Sequence, residues 1–146
     1  MTPWKSSKHS GAYTVLFSTK AIDFNKANGL ALPDKEEKCL KCHSTEYMMK
    51  GTPKGQFFNI TEGIGCESCH GAGSEYSSAE IMKEESSFIR SGGVKGDEKT
   101  CLKCHNVKGN KEKTLKEDVC PFQPDDFEYN SAFEKIKHPL SNEFKK

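Results

Sequence analysis

The hydrophobic positions of this chain are few, and they form short stripes rather than long runs. The clearest stripe lies near the N-terminus and has helical spacing. It predicts a helix over residues 6–20, capped by Ser6 or Ser7. The stripe consists of His9, Ala12, Tyr13, Leu16 and Phe17.

Three further helices are expected in the middle of the chain. Two of them run into Cys-x-x-Cys-His segments and begin with Asp34 and Asp97 as caps. The third lies between Tyr76 and Arg90 and is ended by the glycine pair 92–93. Its apolar side is expected to carry Ile81, Met82, Phe88 and Ile89.

The C-terminal part predicts an extended stretch over residues 120–129, marked by prolines. A last short helix follows, capped by Asn130 and stopped by Pro139. Together these elements predict a mainly α fold of short helices and long loops, with little or no strand.

The composition is lean for a chain that builds its own core. Hydrophobic residues make up 34% and the mean hydropathy is −0.76. The 22 basic and 21 acidic residues are spread along the chain, so no nucleic-acid or membrane surface is expected. No apolar run approaches the roughly 20 residues of a transmembrane helix, so no membrane span is expected. Something other than protein is expected to fill the middle of the molecule.

Six of the seven cysteines fall into three copies of Cys-x-x-Cys-His, and Cys120 is left over. This pattern is the attachment signature of c-type haem. The two thiols form thioethers with the haem vinyl groups, and the histidine binds the iron as its proximal ligand. The first motif is Cys39, Cys42 and His43; the second is Cys66, Cys69 and His70; the third is Cys101, Cys104 and His105.

Zinc sites and disulfides are the alternatives for such cysteine pairs. Zinc ribbons do not need a histidine after every pair, and an odd number of pairs leaves one without a partner. Three covalently bound c-type haems are therefore the predicted cofactors. The predicted fold is one trihaem domain over residues 1–146, wrapped around these haems.

Three irons have six axial positions, and the motif histidines fill three of them. The chain has two further histidines, His9 and His138, which are the predicted distal ligands. One position then stays open or takes another ligand. The candidates are Met48, Met49, Met82, Cys120, a lysine or a histidine of another molecule.

Four stretches, taken in order, resemble the multihaem cytochrome c-554 family. They are "PWKSSKHSGAYTVL", "GIGCESCHGAGSEY", "CLKCHN" and "PFQPDDFEYNSAFEKIKHP". The resemblance covers most of the chain. It implies a loop-rich helical electron carrier with closely stacked haem pairs.

Two departures from the family pattern accompany this resemblance. The family has an additional Cys-x-x-Cys-His before the helix with the tryptophan, and a histidine shortly after its Cys-Glu-Ser-Cys-His-Gly segment. This chain has Tyr76 in the latter region. The tyrosine is interpreted as standing where a ligand is no longer required, or as packing on a haem edge.

The resemblance also implies roles for individual residues. His9 and His138 correspond to the family's two remaining distal ligands, and the haem of the first motif to its haem without a distal protein ligand. The pairing inferred from the sequence is His9 with the His70 haem and His138 with the His105 haem.

The sequence therefore predicts an extracytoplasmic electron carrier, more than an enzyme, with redox partner proteins. Because haem c is attached outside the cytoplasm, a periplasmic or extracellular location is expected, and the chain carries no signal peptide. The alternatives are binding or reduction of a nitrogen oxide at a five-coordinate haem, or a subunit of a haem-chain filament joined by an intermolecular ligand.

Overall fold

The structure is a computed structural model that describes residues 3–53, 55, 58–105, 120–122 and 127–138. Within these ranges the chain forms short helices joined by loops, without a β-strand, so the prediction of a mainly α fold is confirmed. Three 3-10 helices cover Pro3–Ser6, Thr14–Phe17 and Ile60–Glu62. The α-helices are α1 (Thr19–Ala27), α2 (Glu37–His43), α3 (Thr45–Met48), α4 (Cys66–His70), α5 (Ala79–Lys83), α6 (Glu85–Arg90), α7 (Glu98–Leu102) and α8 (Tyr129–Ile136).

The prediction of one helix over residues 6–20 is wrong. Residues 7–13 form bends and turns, and regular α-helix begins only at Thr19. Serine hydroxyls compete with the backbone for its hydrogen bonds, and the Ser10 hydroxyl donates to the Ser7 carbonyl over 2.9 Å. This local bond favours a turn over a helix.

The helix α1 was not predicted, although its end signals are present in the sequence. The Ser18 hydroxyl accepts from the Ala21 amide over 3.3 Å, as an N-cap does. Asn28 is the C-cap, and Gly29 follows it at φ +64°, a conformation that glycine adopts without strain.

The cap predicted for α2 is displaced by two residues. Glu36 is the N-cap, and its carboxylate accepts from the Lys38 amide over 3.3 Å. Asp34 instead forms a surface ion pair with Lys35 over 3.2 Å. The positive end of the helix dipole stabilises a carboxylate at either position. The sequence therefore predicted an acidic cap for α2 but not which acidic residue provides it.

Of the caps predicted for α7 and α8, one is correct and the other is wrong. Asp97 caps α7 as predicted, accepting from the Thr100 amide over 2.8 Å. For α8 the cap is Glu128, which accepts from the Asn130 amide over 3.0 Å, so Asn130 is not the cap. Pro139, the predicted stop, lies outside the described residues.

The helix predicted between residues 76 and 90 is two helices, α5 and α6. Glu84 ends the first and caps the second by accepting from the amides of Ser86 and Ser87 over 3.0 and 2.7 Å. The hydrogen bonds from Ser87 and Ser86 lower the pKa of Glu84 to about 2. This break between α5 and α6 interrupts the predicted apolar stripe, and two of its residues, Met82 and Ile89, are exposed.

The stretch over residues 120–129, predicted to be extended, is described in part. Residues 121–122 form a turn, and residues 127–128 have no regular structure before α8. Residues 123–126 lie outside the described ranges.

The hydrophobic core is small. Tyr13 and Leu16 are buried against Leu40, while Phe17 of the same stripe is 55% exposed. Large apolar side chains such as Val94 remain at the surface. Among the described residues no helix is long and apolar enough to cross a membrane. The partly buried residues packed on this core are Cys39, Tyr47 and Ile60.

A buried hydroxyl joins the start of α3 to the segment before α4. The Thr45 hydroxyl donates to the Gly63 carbonyl over 2.9 Å and accepts from the Gly65 amide over 2.7 Å. The Ser68 hydroxyl lies 2.7 Å from the same oxygen. Because Thr45 is only 5% exposed, these bonds fix the first two Cys-x-x-Cys-His motifs relative to each other.

Candidate functional site

The three Cys-x-x-Cys-His motifs lie on or just after short helices. His43 and His70 are the last residues of α2 and α4. The third motif begins in α7 and ends in the turn that follows, where the His105 amide donates to the Cys101 carbonyl over 2.8 Å. Each thiol pair therefore spans about one helical turn, which presents both sulfurs on one side.

The cysteines of these motifs are available for covalent attachment. All seven cysteines are among the described residues, and none of them forms a disulfide. In the same part of the chain no group of three or more His, Cys, Asp or Glu side chains is arranged to hold a metal ion by itself. Burial raises the pKa of Cys66, so this thiol is protonated near neutral pH.

The rings of His43 and His70 are each oriented by a backbone carbonyl. The Nδ1 atom of His43 lies 2.6 Å from the Ala12 carbonyl oxygen, and that of His70 lies 2.8 Å from the Val94 carbonyl oxygen. Since a carbonyl only accepts, Nδ1 carries the proton in both rings. Nε2 is then left with its lone pair, as a metal-binding imidazole requires.

The two remaining histidines each lie beside a motif histidine. The ring centroids of His9 and His105 are 6.0 Å apart, and those of His138 and His70 are 5.9 Å apart. This is the reverse of the pairing inferred from the sequence. Each pair brings together residues that are far apart in the chain.

The spacing of both pairs fits two imidazoles on opposite sides of one metal. A metal–imidazole bond is about 2 Å long, so two rings that share one metal have centroids roughly 6 Å apart. The histidine pairs, together with the apolar surroundings and the cysteines, therefore fit covalently bound haem with two axial histidines.

The surroundings of His105 favour the neutral, metal-binding form of its ring. Burial lowers the pKa of His9, and burial together with the neighbouring rings of His9 and His43 lowers the pKa of His105. Phe127 stacks on the His105 ring with centroids 4.7 Å apart and an interplanar angle of 9°. Phe127 was not among the predicted site residues.

An apolar pocket of about 320 Å³ lies beside the first motif, whose three residues line it. Its volume is within the range of small-molecule and cofactor sites. Cys120 also lines it, whereas the other named candidates for an extra ligand, Met48, Met49 and Met82, are described residues that do not.

A buried amide holds the first thiol of this pocket in place. Asn25, only 3% exposed, donates from Nδ2 to the Ala31 carbonyl over 2.7 Å and lies 3.8 Å from Cys39 Sγ. Burial raises the pKa of Cys39. Asn25 was not predicted, because a buried asparagine in a helix has no sequence signal of its own.

The cysteines of the third motif lie close to those of both other motifs. A hydrogen bond with Cys42 lowers the pKa of Cys104. Burial and, after it, the nearby Cys101 raise the pKa of Cys69, and Cys69 also acts on Cys104. The cysteines of the third motif are therefore near enough to those of the other two motifs to affect their pKa values.

Tyr76 fixes the chain that leaves the second motif. Its ring is 4% exposed, and its hydroxyl donates to the Gly71 carbonyl. The ring packs edge-on against Phe88 at 4.8 Å, and Phe88 packs edge-on against His70 at 5.6 Å. Burial raises the pKa of Tyr76 to about 12, so the phenol keeps its proton and packs behind His70.

Replacing Gly93 by alanine is expected to displace the Phe88 ring, which packs against His70. A Cβ at position 93 would overlap this ring. Overpacking of this kind costs typically 1–3 kcal/mol, so the holoprotein is expected to unfold at lower temperature and the magnetic resonance signal of the His70 site to shift. Gly55→Ala, where a Cβ meets no atom of the described residues within 4 Å, is the control. An unshifted signal in Gly93→Ala contradicts the prediction.

Two comparisons with known proteins found a match to this chain. Cytochrome c-554 from Nitrosomonas europaea (strain ATCC 19718) is 28% identical over 155 aligned residues, covering 91% of this chain and 64% of the relative. The family described as "Cytochrome c554 and c-prime" matches residues 1–71. The chain resembles the cytochrome c554 family. The predicted resemblance is confirmed.

The part of this chain that matches the cytochrome c554 family contains His9 and the first two motifs. The third motif and His138 lie beyond it. The chain spans 64% of the length of the relative cytochrome c-554. No solved structure matches the chain. The resemblance implies covalently bound c-type haem.

Proposed function

We propose that this chain is an electron carrier with three covalently bound c-type haems in one domain over residues 1–146, working outside the cytoplasm with redox partner proteins. The resemblance to the cytochrome c554 family supports the carrier role. The three Cys-x-x-Cys-His motifs support the number of haems and, since haem c is attached outside the cytoplasm, the location.

The observation that carries the proposal is the spacing of the two histidine pairs. It supports His105 and His9 as axial ligands of one iron, and His70 and His138 as those of another. Each haem supplies reversible one-electron chemistry at its iron. The chain contributes the axial histidines, of which His70 is oriented by a backbone carbonyl and His105 is packed against an aromatic ring. Such contacts tune the reduction potentials.

The position of the third motif supports an order of the three sites. Because Cys104 bonds with Cys42 and Cys101 lies near Cys69, the third site is proposed to adjoin both the first and the second. The third site would then offer a path for electrons between the other two.

The first site is proposed to be five-coordinate at rest. The two remaining histidines are paired elsewhere, and the pocket beside His43 has mainly apolar walls. This pocket favours a second candidate function, the binding or reduction of a small ligand such as a nitrogen oxide. Self-assembly through a ligand from a neighbouring molecule is the remaining alternative for the sixth position.

The test is an intact-mass measurement followed by electron paramagnetic resonance of the oxidised holoprotein. We expect the mass of the chain plus three haems, two low-spin signals, and one high-spin signal that changes on adding azide. The proposal in this form would be rejected by a mass with fewer haems. It would also be rejected by three low-spin signals that do not change on adding azide. A monodisperse monomer with the high-spin signal would reject the intermolecular ligand.

A further inference from the structure

One tight turn near the N-terminus contacts two of the three haem sites. The turn runs from His9 to Ala12, and the Ala12 amide donates to the His9 carbonyl over 3.1 Å. At one end of it the His9 ring lies 6.0 Å from the ring of His105. At the other end the Ala12 carbonyl accepts the proton of His43 Nδ1 over 2.6 Å.

The same turn is fixed by the segment that precedes the second motif. The Ile64 amide donates to the His9 carbonyl over 3.0 Å, so this oxygen accepts two backbone bonds at once. The Trp4 indole Nε1 donates to the Ile64 carbonyl over 2.7 Å. Ile64 therefore holds both the first residue of the turn and the segment that precedes it.

Gly63 allows the close approach of these two segments. It has φ +70°, a conformation that favours glycine. A Cβ at this position would lie 2.6 Å from the His9 carbonyl oxygen and 3.0 Å from the Ala12 amide nitrogen. Any larger residue at position 63 pushes the whole turn away.

We propose that the His9–Ala12 turn is a rigid link between the first and third haem sites, and that Trp4 and Gly63 are its positioning residues. This inference rests on the proposed function, in which His43 and His9 are axial ligands. It extends that function, because one turn would support two ligands at different sites. These are His9, the proposed distal ligand of the third site, and His43, the proximal ligand of the first.

The link has a physical consequence for both irons. The hydrogen bond at Nδ1 raises the basicity of a metal-bound imidazole, so moving the Ala12 carbonyl changes the donor strength of His43. The same movement of the turn shifts His9 relative to His105. A displacement of the turn therefore changes the donor strength of His43 and the position of His9 together.

The test is Trp4→Phe in the holoprotein, which removes the indole N–H donor and keeps an aromatic ring. We expect the low-spin signal of the His105 site and the high-spin signal of the His43 site to shift together, and the reduction potentials of both to shift. Phe127→Leu is the matched control, because Phe127 stacks on His105 itself and does not belong to the turn. It should shift the His105 signal alone.

A change at one site only in Trp4→Phe, or at neither, overturns the link. Gly63→Ala is a second variant that pushes the turn instead of loosening it, and it must also shift both sites. His9→Ala separates this inference from the proposed function. If His9→Ala leaves every iron unchanged, the ligand assignment fails; if it creates a second high-spin iron while Trp4→Phe has no effect, only the link fails.

Discussion

Replacing Cys101 and Cys104 by alanine is expected to give a protein with two haems. Electron exchange between these two haems should be much slower than it is in the intact protein. The reason is the position of the third motif, whose cysteines lie next to those of both other motifs. Removing this haem takes away the proposed path for electrons between the first and second sites. It also removes apolar surface that a chain with so small a core needs.

The measurement is intact mass, followed by rapid reduction and freeze-quench magnetic resonance, which distinguishes the high-spin first site from the low-spin second site. The control is the double replacement of Cys66 and Cys69, which also removes one haem but leaves the contact between Cys42 and Cys104. In that variant, exchange between the remaining sites should stay fast. Equal loss of exchange in both variants contradicts the proposed order.

Replacing His9 by alanine is expected to convert one iron from low-spin to high-spin, so that two of the three irons become high-spin. His9 lies beside His105 at the spacing of two rings on one metal, and alanine has no side-chain donor to take its place. Azide should then change two high-spin signals instead of one. His138→Ala is the matched control and should convert the His70 site.

Combining the two changes decides the pairing directly. In the variant without Cys101 and Cys104, the further replacement His9→Ala should leave the remaining irons unchanged, because the iron that His9 serves is already absent. A new high-spin signal in this combination would instead support the sequence-based pairing of His9 with the His70 site.

The Cys-x-x-Cys-His motifs could be predicted from the sequence because their chemistry is local. Two thiols and a histidine within five residues need only one helical turn to act together, and this holds whatever the rest of the chain does. The caps follow the same logic in part. Asp97 caps α7 as predicted, whereas α2 and α8 begin at neighbouring acidic residues, since several adjacent side chains satisfy the same few amides.

The helix predicted over residues 6–20 failed because spacing alone does not distinguish a helix from a turn that buries the same side chains. Tyr13 and Leu16 are buried as the stripe requires. The serine hydroxyls and the docking of His9 on Ile64 favour a turn instead. This turn leaves the Ala12 carbonyl available for His43, which a continuous helix would have used internally.

The sequence by itself determined which residues can attach haem and how many histidines are available as ligands. Only the tertiary structure decided that His9 meets His105, that His138 meets His70, and that the third motif lies beside the other two. The physical reason is that these contacts join segments far apart in the chain. They depend on how loops dock through backbone groups, such as the amide of Ile64 and the carbonyl of Gly63, that every residue possesses and no sequence pattern marks.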